Sequence, residues 1–408
     1  MGKIQKGSKE FKIVNFAFFA AGFVTFITLY DVQPLLPVFA KEYGVTAAIS
    51  SLPLSVSTTA LAFTMLIAGT FSENFGRKPV MSAALITSSI LALITPLTHS
   101  FLSLLTIRTL QGIALAGLPA VAMAYLGEEI ELSSLPSAMG LYVAGTGIGG
   151  MTGRVSTAMI TDLSSWRTAI LIVGVLCLIL SGIFMKWLPK STHFRKKKFS
   201  SKYLVNSLIK HLKNPEMLHL FILAFIFLGI FVTMYNYLAF RLLGNPYYMS
   251  HTAVSWIFLV YILGSLSSAF IGKFANRVGS QKAMLLFIIT MGIGVIVTLL
   301  HSVILITIGM ALLTIGFFGA HAMASSRVAA KAKVAKAQAS SLYLFFYYMG
   351  SSVAGTIGGF FWSRYGWNGI VAMLMFLIIV AIVVTCRLQK FAANSRNEYV
   401  IHEEPQPT

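Results

Sequence analysis

The chain reads as an all-α membrane protein, with twelve transmembrane helices in two pseudo-symmetric six-helix bundles. Three observations predict this. Mean hydropathy is +0.80, and 57% of the 408 residues are hydrophobic against 11% charged; a soluble chain of this length needs more polar surface. Apolar runs of about 20 residues, enough to cross a hydrocarbon core of about 30 Å as a helix, recur along it. One segment is also written twice, as GTFSENFGRKPVM at 69–81 and GKFANRVGSQKAM at 272–284. Gly69 aligns with Gly272, Phe71 with Phe274, Gly76 with Gly279 and Met81 with Met284. Each copy joins two apolar runs, as in carriers built from duplicated halves.

The spans are expected at 13–37, 47–70, 79–97, 102–126, 138–160, 167–187, 217–240, 252–272, 282–300, 303–323, 339–361 and 368–387. All should be helical, because an open sheet edge has no partner in lipid. Pro189 and Pro215 bracket a basic, partly amphipathic stretch, the natural linker lying on the membrane face. The division is therefore a tail at 1–12, a first bundle at 13–188, a linker at 189–216, a second bundle at 217–388 and a tail at 389–408. The final EEPQPT has the composition of a disordered end. The N-terminus reads as a retained span rather than a cleavable signal, since no small-residue cleavage site precedes Asp31.

The formal net charge of +19 raises the question of nucleic acid, and its distribution answers it. With both termini cytoplasmic, Lys3, Lys6, Lys9, Lys12, Arg77, Lys78, Arg195–Lys198, Lys273, Arg277, Lys282, Arg327, Lys331, Lys333, Lys336, Arg387, Lys390 and Arg396 fall on the inner side. Lys41, Arg167, Arg241 and Arg364 alone fall on the outer side. This is the positive-inside bias, and anionic lipid head groups suffice as the partner of the basic segments. Nucleic acid is not expected. Cys177 and Cys386 lie in separate apolar helices, which argues against a disulfide and a Cys-based metal site.

A second repeat supports the two halves. YVAGTGIGGMTGR at 142–154 is similar to YYMGSSVAGTIGG at 347–359, so that Gly145, Gly150 and Gly153 match Gly350, Gly355 and Gly358. Small residues at this spacing suit close helix packing. Trp166 after the first copy echoes Trp367 after the second. Gly145, Gly147 and Gly150 also satisfy GxGxxG, but no strand precedes them, so a nucleotide loop is excluded. There is no GxxxxGK[ST], HExxH, paired CxxC or catalytic serine motif. The chain is therefore expected to be no enzyme, to hold no cofactor or metal, and not to be driven by ATP.

These motifs carry a family resemblance over nearly the whole chain. GTFSENFGRKPVM resembles the loop 2–3 signature of the major facilitator superfamily, IRTLQG (107–112) its helix-four motif, and YDVQPLLP (30–37) the helix-one motif of its proton-linked exporters. The drug:proton antiporter branch and the bacterial YnfM-like members are the subgroups it resembles most. The resemblance implies a monomeric secondary transporter in the plasma membrane, working by alternating access and exporting small organic molecules or drugs in exchange for protons. A facilitator or importer of a polar metabolite, such as a sugar or organic acid, shares the fold. A non-transporting sensor or scaffold is disfavoured by the missing extra domain and by the retained interior charges.

Asp31 is the one acid well inside an apolar span. A charge at a helix centre costs about 2.5–3.5 kcal/mol on insertion scales, so it marks function or a structural pair. Arg108 in the fourth span is its natural partner, and the two form the expected proton-coupling network. Gln33, Gln111, Arg154, Tyr235, Asn236, Tyr343 and Tyr347 are the candidate cavity residues; His321 reads first as a capped or interface histidine and second as another titrating group. Arg154 stands about five residues short of its helix end, which favours a side chain snorkelling to the outer surface. In loop 2–3, Gly69 and Gly76 are expected to allow close packing and a tight turn. The resemblance implies that Glu73 pairs with Arg77, flanked by Lys78, to brace one conformational state. Gly272, Asn276, Arg277 and Gly279 are the repeat's counterparts in this gate.

Overall fold

The computed structural model describes residues 3–194, 196, 200–264, 274, 275, 277–332 and 334–401, of which 389–401 by backbone alone. Helices account for almost all of them, and their starts are written in the sequence. Ser8, Ser165 and Ser250 accept hydrogen bonds from the amides three residues on, and Ser100 and Ser103 form a reciprocal capping box. Asn214 does the same ahead of Pro215, whose missing N–H costs nothing in a first turn.

The first half holds α1 (Lys9–Tyr30), the short α2 (Leu36–Glu42) and α3 (Ala47–Ser50), then α4 (Leu52–Phe75), α5 (Arg77–Ile94), α6 (Phe101–Leu115), α7 (Pro119–Glu129), α8 (Leu135–Leu163) and α9 (Trp166–Trp187). The linker carries α10 (Ser201–Leu212). The second half holds α11 (Pro215–Leu243), α12 (His251–Trp256), α13 (Ser280–Val297), α14 (Val303–Lys331) and α15 (Lys336–Ile401). Gly366, at φ 58°, breaks α15 into the last two passes. Eight of these helices are by themselves long and apolar enough to cross a membrane. The remaining passes come from that division of α15, from α6 with α7, from the glycine-rich α8, and from α12 with the turns that follow it to Gly264. The second part of the expected 252–272 span, including Gly272, lies outside the described residues.

Four expectations are corrected. The fourth span is not one rod: it breaks at 116–118, ahead of Pro119. The first span stops at Tyr30, and Asp31 sits in the break rather than inside a helix. Pro34 and Pro37 lack the N–H groups that a continuing helix would use, which is why the chain restarts as a 3-10 turn and a short helix. The polar loop 69–81 shrinks to the single residue Gly76, since α4 runs to Phe75 and α5 starts at Arg77. The 1–12 tail is docked: Ile4 forms a parallel bridge with Ile130, and the Lys6 amide donates to Ser134 Oγ (3.1 Å).

Close backbone approach sets the geometry inside each half. A Cβ on Gly145 or Gly149 would collide with the carbonyls of Phe19 and Phe23, and one on Gly153 would stand 2.8 Å from that of Ile27. These glycines form one stripe along α8, pressed against α1. In the second half Gly350 meets the Phe225 carbonyl and Gly358 meets Thr233 and Tyr237, so α15 packs on α11 the same way. Gly150 and Gly355 do something else in both halves. They face the interior, where a Cβ would stand 3.1 Å from Arg154 Nη1 and 3.2 Å from Asn236 Nδ2.

Among the described residues, the halves are hydrogen-bonded to each other only away from the linker. Ser55 Oγ meets Thr356 Oγ1 (2.9 Å) and Thr58 Oγ1 meets Ser352 Oγ (2.7 Å). Gln33 Nε2 donates to Asn236 Oδ1 (2.7 Å), and the amides of His251 and Thr252 donate to Asp162 (3.3 and 2.6 Å). At the linker end the contacts stay within one half. Thr192 and His193 dock on Glu129, and Arg327 and Lys331 pair with Glu216. The two halves are thus held together at the end far from the linker.

Candidate functional site

The break after Tyr30 creates the site. Once the helix stops, the carbonyls of Thr28 and Leu29 have no amide four residues on to bond. Arg108 takes both, with Nη1 donating to Thr28 O (3.0 Å) and Nη2 to Leu29 O (2.9 Å). The same guanidinium donates to Gln111 Oε1 (2.6 Å) and to Asp31 Oδ1 (3.2 Å). Gln111 in turn donates to the Ser88 carbonyl (3.2 Å), so it anchors Arg108 rather than lining a cavity. Asp31 and Arg108 are 0% and 1% exposed. The pair is therefore unequal. Arg108 is surrounded by acceptors, while Asp31 Oδ2 is buried and without a partner among the described residues.

Arg154 is corrected. It does not snorkel: it is 1% exposed and points inward. Gly153 lies on the stripe pressed against α1, and the next residue along a helix turns by about a quarter, which carries Arg154 to the interior. Its Nε donates to Gln33 Oε1 (2.5 Å) and its Nη1 to the Gly150 carbonyl (2.6 Å). The guanidinium lies over Tyr30 (4.1 Å to the ring centroid), Tyr261 (4.8 Å) and Phe258 (5.7 Å). Through Gln33 it connects to Asn236, whose own Nδ2 is buried and unpartnered among the described residues. Gln33 and Asn236 thus join the halves beside the charge.

The aromatic candidates form a continuous wall in the second half. Tyr235 donates to or accepts from Thr314 (2.8 Å), and its ring lies 5.1 Å from Tyr261. Phe231 contacts Tyr261 and stacks on Phe317 at 3.9 Å, and Phe317 stacks on His321. His321 Nδ1 is hydrogen-bonded to Tyr343 OH (2.9 Å), with the Tyr347 ring 4.7 Å away. Sequence reasoning missed Tyr30, Phe258 and Tyr261. Each looks like an ordinary apolar-span aromatic, and only the meeting of the halves gives it a cation to face.

The gate residues lie at the linker end. Gly76 and Gly279 share the left-handed conformation, at φ 99° and 90°, so the repeat is conformational as well as textual. A Cβ on Gly69 would meet open space, so no close helix contact requires a glycine there, and its carbonyl accepts from Ser72 and Arg77. Arg77 is buried. It stands 3.9 Å from Glu73 but only 2.7 Å from Glu128, and donates to Ser72 Oγ at 2.5 Å. Glu128, distant in sequence, is the main partner that the motif did not reveal. Lys78 donates to the Leu188 carbonyl. Arg277 is exposed, and Asn276 lies outside the described residues.

A groove of about 1000 Å³ lies between α4, α5 and α6, lined by Ile67, Phe71, Leu110 and Ile113. It has no charged side chain and sits on the face of α6 turned away from Arg108.

The comparisons agree with this architecture. The model of the Major Facilitator Superfamily matches residues 14–247 and 237–399. The chain is 47% identical over 382 residues to the uncharacterized MFS-type transporter YybF of Bacillus subtilis, spanning 94% of this chain and 95% of that protein. It is 43% identical over 387 residues to the inner membrane transport protein YnfM of Escherichia coli, spanning 95% and 93%. Among solved structures, the nucleoside transporter NupG superposes with a TM-score of 0.75 at 15% identity, over 92% of this chain and 99% of that one. A bacterial homologue of the lysosomal transporter Spinster, in an inward-facing conformation, superposes at 0.74 and 14% identity, over 94% and 98%.

Proposed function

We propose, for a chain that belongs to the major facilitator superfamily, a proton-coupled secondary transporter that exports small organic molecules by alternating access. It is a multi-pass membrane transporter and no enzyme. The observation that carries the coupling is Asp31, a buried carboxylate with one oxygen on Arg108 and the other unpartnered among the described residues. Arg108 has its own acceptors and holds its place whether or not Asp31 is charged. Asp31 is therefore free to take a proton on Oδ2 without dismantling the helix break. The proton gradient is the energy source, with no cofactor.

The Lys/Arg bias supports a reading in which the linker end and both termini are cytoplasmic and the basic face lies against anionic lipid, in a transporter that acts as a monomer in the plasma membrane. The closed end then faces outward and the open end receives cargo from the cytoplasm. A shorter match, at 29% identity over 171 residues, is to the multi-drug resistance efflux pump PmrA of Streptococcus pneumoniae, which accords with export. Uptake of an organic acid is the second reading. The carboxylate-free surroundings of Arg154 favour it, as does a 28% match over 164 residues to the 4-hydroxybenzoate transporter PcaK of Pseudomonas putida. Flux in proteoliposomes under an imposed pH gradient tests the proposal. Outward movement of cargo against inward proton flow, lost in Asp31→Asn, is expected. Proton-independent flux would overturn the coupling, and cargo moving with the proton would select uptake.

A further inference from the structure

We infer that Arg154 is the docking point for the negative charge of a small organic monoanion with an apolar, ring-compatible body; this rests on the reading of the chain as a carrier of small organic molecules. Burying an ion costs several kcal/mol unless a counter-charge or full hydrogen bonding offsets it. Arg154 has neither. Of the twelve acids in the sequence, only Asp31 lies well inside an apolar span rather than near a helix end, and Asp31 belongs to Arg108. No carboxylate comes within 4 Å of Arg154 among the described residues, and its Nη2 donates to none of them.

The three surrounding rings contribute only about 0.5–2 kcal/mol each as cation–π partners. They leave the interior with one uncompensated positive charge. A single carboxylate or comparable anion neutralises it, a neutral molecule leaves it as it is, and a dication triples it. The rings also describe the remainder of the ligand: Tyr30, Phe258 and Tyr261 form apolar walls around the charge.

The position suits transport as well as binding. Tyr30 belongs to the first half and Phe258 and Tyr261 to the second, and the Gln33–Asn236 bond crosses between them. An anion on Nη2 would touch both halves, so its binding biases the equilibrium between their arrangements. The feature is not part of the duplication. In the second repeat Gly359 stands in the register of Arg154 and packs against Ala48.

Shape-matched probes isolate the charge. Panels of substituted benzoates, benzamides and benzamidines are compared at millimolar concentration for stabilisation of the purified wild-type protein against thermal unfolding, without any gradient. Benzoates are expected to stabilise it and the neutral and cationic panels are not. Arg154→Gln should weaken benzoate binding about tenfold or more, the loss of one charge-assisted contact, with Arg154→Lys falling between. Stabilisation by benzamides or benzamidines equal to that by benzoates, benzoate binding unchanged in Arg154→Gln, or no benzoate binding at all would each overturn the inference. Should Arg154→Gln fail to fold, the wild-type comparison of the three panels still decides. The measurement uses no proton gradient, so a failure of proton coupling leaves it intact, and normal coupling in Asp31→Asn would not rescue it.

Discussion

Asp31 and Arg108 touch each other, yet their removal should have unequal consequences. Asp31→Asn keeps the side-chain shape and costs Arg108 only the charge assistance of a single bond at 3.2 Å, while Thr28 O, Leu29 O and Gln111 Oε1 remain. A bond to a charged group is worth about 1.5–3 kcal/mol, and an unsatisfied buried atom costs about 1–3 kcal/mol. The amide would keep an uncharged form of that bond and replace a charged orphan oxygen by an uncharged orphan NH2, so the net change is about 1 kcal/mol or less. Arg108→Leu is different. It strands a buried carboxylate, for which losing the partner of a buried pair costs about 3–5 kcal/mol. It also orphans the Thr28 and Leu29 carbonyls, at about 1 kcal/mol or more apiece. Fluorescence-detected size exclusion and thermal unfolding of the purified variants measure this. Asp31→Asn should be recovered monodisperse with a melting temperature near wild type, and proton-driven flux should be abolished. Arg108→Leu should be recovered poorly or not at all. Equal destabilisation by both would refute the reasoning and leave a static ion pair.

Three further outcomes are expected. Gly149→Leu should fail to fold, because even a Cβ there collides with the Phe23 carbonyl, and overpacking of this kind costs about 1–3 kcal/mol or more; Gly69→Ala, facing open space, should fold and elute as wild type in the same size-exclusion assay. Arg77→Ala and Glu128→Gln should lower maximal flux more than apparent affinity, and to a similar degree, with Glu73→Gln weaker because it stands farther from Arg77; an affinity change at unchanged maximal flux would count against a gate. The Glu129 carboxyl, outside the spans, is held below the usual carboxylate range: burial raises it, but hydrogen bonds from the His193 amide and Thr192 and the nearby His193 ring outweigh this. Its contribution to linker docking is thus full above the ordinary carboxylate range and fades as pH falls through the lowered value, so proteolysis of the 190–200 linker should accelerate at acid pH and, in Glu129→Gln, already at neutral pH.

Much of this was legible in the sequence because it depends on period and composition. Span length, the duplicated turn and the glycine stripe all follow from lipid thickness and backbone contact. Asp31 with Arg108 was legible because two opposite charges in hydrocarbon have few alternatives. The remainder depends on which way one helix face turns. Arg154 is one residue past a packing glycine, and distance from the helix end alone pointed it to the surface. Its inward direction follows from the Gly145, Gly149 and Gly153 stripe, in which Gly149 was not recognised. Glu128 as the partner of Arg77, and Gln33 as the bridge to Asn236, are contacts between distant segments with no pattern of their own. The break in the first span was signalled by Pro34 and Pro37, but its effect, freed carbonyls that fix Arg108, appears only in three dimensions.

The central claim is proton coupling through Asp31. The most direct measurement is cargo flux in proteoliposomes with an imposed pH gradient, screened over a mixed metabolite and drug library with wild type and Asp31→Asn side by side. The account predicts wild-type accumulation of at least one compound against its own gradient, collapsed by a protonophore and absent in Asp31→Asn. Wild-type flux that ignores the pH gradient, or an Asp31→Asn protein that follows it, would contradict the account.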